Sequence, residues 1–264
     1  MEQPDPFIVP SPAVFNLRDL GERAVDDGRL PAGRVFRSGE LSDPSAVDDS
    51  ALARLGLHTV VDLRTASEVD ERPDHVPAGV RYLHLDVLAE MTPQAAAGQA
   101  KLMSDPHAFA RAFGDFDAVE QMCSTYRDLV AGESARAGYG GLVRALLAAD
   151  GAPLLVHCTA GKDRTGWATT VLLLVAGVDV QAVRTEHLAV NPAVREAFAP
   201  VLERYLATGA PPQMLAPMLE VRPEYLDAAF DQVDEMYGGF AGYLREGLGL
   251  DDDEVRALRA LLLA

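Results

Sequence analysis

Cysteine, lysine and clustered histidine are scarce in this chain of 264 residues, and each scarcity excludes a class of protein. The two cysteines, Cys123 and Cys158, are too few for a disulfide framework and lack the spacing of a metal site. The six histidines are scattered, without the HxH or HExxH spacing of paired metal ligands. We therefore expect no metal ion and no other cofactor in the chemistry of this protein.

Positive charge and long apolar runs are also in short supply. Forty acidic residues against 23 lysines and arginines give a net charge of −17, which repels nucleic-acid backbones and anionic lipid surfaces. The most apolar stretch, Val171 to Val178, is far shorter than the ~20 residues of a membrane-spanning helix, so no stable membrane insertion is expected. The acidic N-terminal residues do not resemble a signal peptide. This favours a cytoplasmic location and leaves non-classical secretion open.

The order of predicted elements favours a single α/β domain over residues 1–264. The turn-forming dipeptide Asp27-Gly28 predicts a small N-terminal hairpin whose return strand is 34–38. Apolar periodicity and breaker residues delimit the remaining elements. Strands are predicted at 57–64, 80–86 and 153–157, and helices at 48–55, 90–150, 166–176 and most of 179–264.

One segment, Val156–Gly166 (VHCTAGKDRTG), carries a recognisable chemical logic. Cys158 ends a predicted buried strand, five residues follow, then Arg164, and then a predicted helix begins. Five residues can curl into a cup whose backbone N–H groups, from Thr159 to Arg164, point at one centre, and the helix N-terminus adds unpaired N–H groups. Such a cup binds a tetrahedral oxyanion, and the guanidinium fork of Arg164 can hold two of its oxygens.

The same cup would turn Cys158 into a nucleophile. The positive ends of the surrounding dipoles favour the thiolate over the thiol. Thr165 is expected to donate a hydrogen bond to the sulfur, and His157 is expected to hold the loop through side-chain hydrogen bonds. Gly161 permits a backbone angle that a Cβ atom would resist.

The arrangement His-Cys-x5-Arg-Thr at residues 157–165 resembles the phosphate-binding signature of the cysteine-dependent protein-tyrosine phosphatase superfamily. The form found here, HCTAGKDRTG, is similar to the bacterial branch that includes mycobacterial tyrosine phosphatases. Other segments resemble that branch too, and the likeness covers most of the chain, with 91–140 the least recognisable part. These segments are NLRDLG at 16–21, RSGEL at 37–41, DLRT at 62–65 and the tyrosine- and glycine-containing stretch 237–250.

The resemblance implies a fold with a central, mostly parallel sheet flanked by helices. It also implies a helical lid over the site, for which residues 192–245 are the candidate and 91–140 a second one. Asp62 and Arg64 are expected to form a supporting pair beneath the site rather than to take part directly.

The resemblance further implies a two-step mechanism. Cys158 attacks phosphorus to form a phosphocysteine, which water hydrolyses to release inorganic phosphate. The general acid implied by this branch is Asp163; Asp86, which follows a predicted strand, is the alternative. Lys162, one of two lysines against 21 arginines, is linked in this branch to substrates with extra phosphates. The implied phosphate-binding residues are Thr159, Ala160, Gly161, Lys162, Asp163 and Arg164.

The sequence thus predicts a phosphomonoester hydrolase, a protein-tyrosine phosphatase with room for dual specificity or phosphoinositide activity. Its partners would be phosphorylated protein or phosphoinositide substrates, and not nucleic acid. The alternative is a catalytically silent phosphoprotein-binding module of the same fold, which requires loss of the cysteine, arginine or acid. A sulfur-transfer enzyme ranks last, because that chemistry does not explain the run Asp163-Arg164-Thr165.

Overall fold

A computed structural model of the chain describes residues 5–26, 28–90, 117–207 and 215–264. The described strands are β1 Arg18–Asp19, β2 Ala24–Val25, β3 Gly28–Arg29, β4 Val35–Ser38, β5 Thr59–Asp62, β6 Arg81–His84 and β7 Leu154–His157. Five of them form one sheet of order β1-β4-β7-β5-β6, and β2 and β3 form a separate two-stranded hairpin.

The sheet is mostly parallel, as predicted. Strands β4, β7, β5 and β6 run parallel, and β1 pairs antiparallel with β4 at one edge. The predicted return strand of the N-terminal hairpin is confirmed as β4, whose antiparallel partner is β1. The short pair β2-β3 lies between them in the chain, and Asp27 of its turn lies outside the described residues. Strand β7 is central, so the segment after it leaves the middle of the sheet at the carboxyl ends of its parallel neighbours, the edge where such sheets bind ligands.

Helices cover both faces of the sheet because successive strand residues point to opposite sides. Val61 and Val156 belong to one large apolar core, whereas their neighbours Val60 and Leu155 belong to a second core on the other face. The helices are α1 Ser50–Leu55, α2 Ala66–Glu71, α3 Ala118–Ala131, α4 Glu133–Ala149, α5 Asp163–Ala176, α6 Val180–Leu188, α7 Asn191–Ala207, α8 Ala216–Leu219, α9 Pro223–Tyr237 and α10 Asp252–Leu263.

Helix α5 is the central helix predicted from its apolar sequence, and nearly all of its residues are buried. It begins at Asp163 rather than at Gly166, three residues earlier than predicted, because the loop before it closes within five residues. No described helix has both the length and the apolar character needed to cross a membrane.

Two predictions concern parts of the chain that the structure does not fully cover. The predicted helices of 90–150 are confirmed as α3 and α4, whereas 91–116 lies outside the described residues. The described parts of the candidate lid, 192–207 and 215–245, are mostly helical. Its role as a lid, like the division into one domain, stays a prediction.

Candidate active site

The loop 158–162 connects the central strand β7 to the N-terminus of α5. Cys158 directly follows the strand and is only 2% exposed. The helix brings its unpaired N–H groups and positive dipole end to the end of the loop. The structure thus brings the predicted nucleophile, the predicted phosphate-binding residues and Arg164 together on one turn of chain.

The loop carbonyl oxygens are held from behind by three donors of the N-terminal segment. The side-chain amide of Asn16 donates to the carbonyls of 160 and 161, at 3.2 and 3.0 Å. Arg37 Nη2 donates to the carbonyl of 161 at 2.7 Å, and the backbone N–H of Glu40 donates to that of 159 at 3.1 Å. Because a planar trans peptide points its N–H opposite to its C=O, the amides of 160–162 point the other way, as an anion-binding cup requires.

The side chain of Arg37 is itself fixed in position by the buried carboxylate of Glu186. Glu186 Oε1 lies 3.4 Å from Arg37 Nη1, and Glu186 also pairs with Arg18 and Arg23. Burial lowers the pKa of Arg37 to about 10, against the opposing charge of Glu186, so its guanidinium stays protonated at neutral pH. The sequence motifs at 16–21 and 37–41 contain these donors but gave no indication of their contacts.

The path of the loop requires glycine at position 161. The substitution Gly161→Ala therefore tests whether the shape of the loop matters for stability and activity. The φ of Gly161 is +63°, and a Cβ atom there would lie 2.1 Å from the carbonyl oxygen of Ser38. Gly79 has a similar φ of +85° but open space around it, so Gly79→Ala is the matched control with a backbone cost of roughly 1–2 kcal/mol.

We expect Gly161→Ala to lower the melting temperature more than Gly79→Ala does. We also expect it to lower aryl phosphate hydrolysis by on the order of 10²-fold, because the loop must shift. Thermal melts and initial rates of both variants measure this. Equal melting temperatures and equal rates in the two variants would show that the close approach of Gly161 to Ser38 affects neither stability nor activity.

Arg164 is held by a residue that the sequence analysis missed. Its Nη1 and Nη2 lie 2.6 and 2.8 Å from the two carboxylate oxygens of Glu68, and Thr159 also donates to Glu68. Burial alone would raise the pKa of Glu68, but the Arg164 guanidinium outweighs it and holds that pKa well below its usual range. Glu68 also closes a capping box with Thr65 at the start of α2, a T-x-x-E pattern that is visible in the sequence.

Asp163, the predicted general acid, has partners on both carboxylate oxygens. Lys162 Nζ lies 2.7 Å from Oδ2, and the hydroxyl of Tyr126 donates to Oδ1 at 3.0 Å. Lys162 is 6% exposed and its ammonium also lies 3.4 Å from the carbonyl oxygen of Glu220, so it is not a solvated loop charge. Tyr126 was missed because it lies in the stretch with the least recognisable sequence.

Asp86, the alternative acid, lies at the edge of the sheet, and both of its carboxylate oxygens accept hydrogen bonds from the backbone. Its Oδ2 accepts from the backbone N–H of Ala66 at the start of α2, at 3.0 Å, and its Oδ1 accepts from that of Leu88 at 2.9 Å. Both bonds stabilise local turns.

The hydroxyl of Thr165 does not make its predicted hydrogen bond to the sulfur of Cys158. The Thr165 side chain is fully buried, and its oxygen has no hydrogen-bond partner among the described residues. The reason is the early start of α5, which places Thr165 inside the first helical turn rather than in the loop.

A buried ion network lies next to the loop, behind His157. Arg64 Nη2 lies 2.7 Å from Asp62 and 2.9 Å from Asp74, and His157 Nε2 lies 2.9 Å from the other oxygen of Asp74. Burial disfavours the imidazolium, but the two carboxylates outweigh it and raise the pKa of His157. Ligand atoms of Asp62, Asp74 and His157 also lie within 4.8 Å of one another, but the Arg64 guanidinium pairs with both carboxylates and its positive charge disfavours a cation beside them. We interpret the cluster as a support of the loop.

Comparison with known proteins agrees with this geometry. A family model described as the tyrosine phosphatase family matches residues 9–264. Triple specificity protein phosphatase PtpB of Mycobacterium tuberculosis is 32% identical over 277 residues, covering 96% of this chain and 98% of that protein. A Cupriavidus necator protein, named provisionally as a tyrosine-protein phosphatase, is 34% identical over 92% of this chain and 85% of its own. A tyrosine-protein phosphatase of Nostoc commune is 27% identical over 88% of this chain and 75% of its own. The chain belongs to the tyrosine phosphatase family.

Proposed function

We propose that this protein hydrolyses phosphotyrosine in proteins through a phosphocysteine on Cys158, without a metal ion. The observation that carries the proposal is the segment 158–164: its carbonyls accept from Asn16 and Arg37, its cysteine is buried directly after β7, and its arginine is paired with Glu68. A preformed ring of donors stabilises the charge that develops on the transferred phosphoryl group at no cost of reorganisation.

The reaction proceeds in two balanced steps. The Cys158 thiolate forms an S–P bond as the P–O bond to the leaving alcohol breaks, and Asp163 gives its proton to that oxygen. Water then attacks phosphorus and loses a proton to the Asp163 carboxylate. The S–P bond breaks, releasing inorganic phosphate and restoring the thiolate and the acid. Arg164 holds two phosphoryl oxygens throughout.

We propose Asp163 as the acid because it directly precedes Arg164 at the end of the phosphate loop, whereas both oxygens of Asp86 accept from the backbone N–H groups of Ala66 and Leu88. Asp163→Asn should therefore slow turnover of phenyl phosphate more than that of p-nitrophenyl phosphate, by roughly 10²-fold or more for the poorer leaving group. Asp86→Asn, the matched control, should slow both substrates alike or neither. A leaving-group effect in Asp86→Asn alone would move the assignment to Asp86.

Among substrates we propose phosphotyrosine first. Wider specificity is supported by the name of the M. tuberculosis relative, a triple specificity phosphatase.

Steady-state kinetics on three substrates test this function: a phosphotyrosine peptide, a phosphothreonine peptide and a phosphoinositide. We expect the highest kcat/KM for phosphotyrosine, inhibition by vanadate and no loss of activity in chelator. No turnover of any substrate would favour a silent binding module, and inactivation by the chelator would contradict the metal-independent mechanism.

A further inference from the structure

We propose that Tyr126, from helix α3, is a positioning residue that fixes the general acid Asp163 and selects which of its oxygens delivers the proton. The proposal rests on the function proposed above, in which Asp163 protonates the leaving group. It adds to the reaction a residue 37 positions away from the acid in sequence and outside every motif of the signature.

The ring of Tyr126 is locked in place by packing. Its side chain is fully buried, and its centroid lies 5.7 Å from that of Tyr225 and 5.7 Å from that of His187, to which it is perpendicular. A ring clamped in this way has little freedom to move its hydroxyl. The hydroxyl oxygen lies 3.0 Å from Asp163 Oδ1 and 3.3 Å from His187 Nε2.

The protonation states of this trio give the hydrogen bonds a direction. Burial, followed by the charge of Asp163, raises the pKa of Tyr126 well above its usual value, so its hydroxyl keeps its proton. Burial, followed by the charge of Arg37, lowers the pKa of His187 to about 3, so its ring is neutral. The single tyrosine proton goes to Asp163 Oδ1, and the ring N–H of His187 donates to the tyrosine oxygen.

The direction of the Tyr126 hydrogen bond gives the two carboxyl oxygens of Asp163 different roles. Oδ1 accepts from Tyr126, so the proton that Asp163 gives to the leaving group sits on Oδ2. Oδ2 lies 2.7 Å from the Lys162 ammonium in the free protein, and that ammonium also contacts the carbonyl of Glu220. A phosphate dianion bound in the cup offers the ammonium another anion, which frees Oδ2 to hold its proton. Tyr126 keeps the carboxyl in place during this exchange.

Tyr126→Phe removes the hydroxyl and keeps the ring. We expect kcat for phenyl phosphate to fall by about tenfold, the effect of losing one hydrogen bond to a charged group, with KM unchanged. The loss should be smaller for p-nitrophenyl phosphate, whose leaving group depends less on the acid. Tyr225→Phe is the matched control: it removes another buried hydroxyl of the same cluster, which donates to the carbonyl of Pro217 at 2.8 Å, and should leave kcat unchanged.

A double-mutant cycle decides whether Tyr126 acts through the acid. In an Asp163→Asn background, Tyr126→Phe should cause no further loss. Equal losses on both substrates, a loss that persists in that background, or a matching loss in Tyr225→Phe would overturn the proposal. If Tyr126→Phe does not fold, His187→Asn should show the same leaving-group pattern at smaller amplitude, and its absence counts against the proposal. Activity that survives loss of Cys158 would instead contradict the proposed function.

Discussion

A Cys158→Ser protein is expected to fold normally and to lose aryl phosphate hydrolysis by roughly 10⁶-fold, the scale of effect of removing a covalent nucleophile. A single buried sulfur is replaced by a smaller oxygen and no other atom changes, so packing in the core changes little. A serine hydroxyl is not ionised at neutral pH, so it is a far weaker nucleophile than a cysteine thiolate. Initial rates, together with melting temperature, separate the chemical loss from unfolding.

Cys123→Ser is the matched control for that experiment. Cys123 is also buried and free, but it lies on α3 and its Sγ contacts the carbonyl oxygen of Glu224, 3.6 Å away. We expect its variant to keep full activity. The Cys158→Ser protein should still bind a phosphotyrosine peptide, because the amide cup and Arg164 are intact. Full turnover in Cys158→Ser would remove the nucleophile assignment.

Arg164→Lys is expected to lower kcat/KM by roughly 10²–10³-fold, the effect of losing a preorganised donor to developing negative charge. A lysine keeps the positive charge but presents it as a single point, without the planar fork that holds two oxygens at once. The same change breaks the two-point contact with Glu68, which aligns the fork before substrate arrives. Inhibition by vanadate should weaken in parallel, because vanadate occupies the same cup.

Arg144→Lys supplies the control for the Arg164 experiment. Arg144 pairs with Glu254 at 3.0 Å and is 49% exposed, so the same substitution there should leave kcat/KM unchanged. Glu68→Gln should lie between the two, because Arg164 remains but one of its aligning charges is lost. If Arg164→Lys retained wild-type kcat/KM, the arginine would not contact the reacting phosphoryl group.

The sequence could predict elements whose signal is local. The strands predicted at 57–64 and 153–157 from their apolar and β-branched residues are confirmed as β5 and β7, whose residues are all buried. Helix α5 was predictable as a central helix because its sequence is apolar nearly all round. The cup was also predictable, since its cysteine, its glycine and its arginine lie within seven consecutive residues, 158–164. The ability of residues 158–164 to form an anion-binding loop depends on neighbouring residues only.

Boundaries and single hydrogen bonds were less predictable. The early start of α5 at Asp163 cancelled the expected bond from Thr165, because a shift of three residues turns a loop side chain into a helical one. The capping box at 65–68 was visible as a pattern, but nothing local showed that Glu68 would also hold Arg164, 96 positions later.

The candidate nucleophile, the loop that follows it and the family resemblance were therefore determined by the sequence alone, because they depend on consecutive residues. Tertiary structure decided which side chains hold them in position: Asn16 and Arg37 contact the loop, Glu68 contacts Arg164, and Tyr126 contacts Asp163. These side chains come from elements far apart in the chain, and only the packing of helices around the sheet brings them within hydrogen-bond distance.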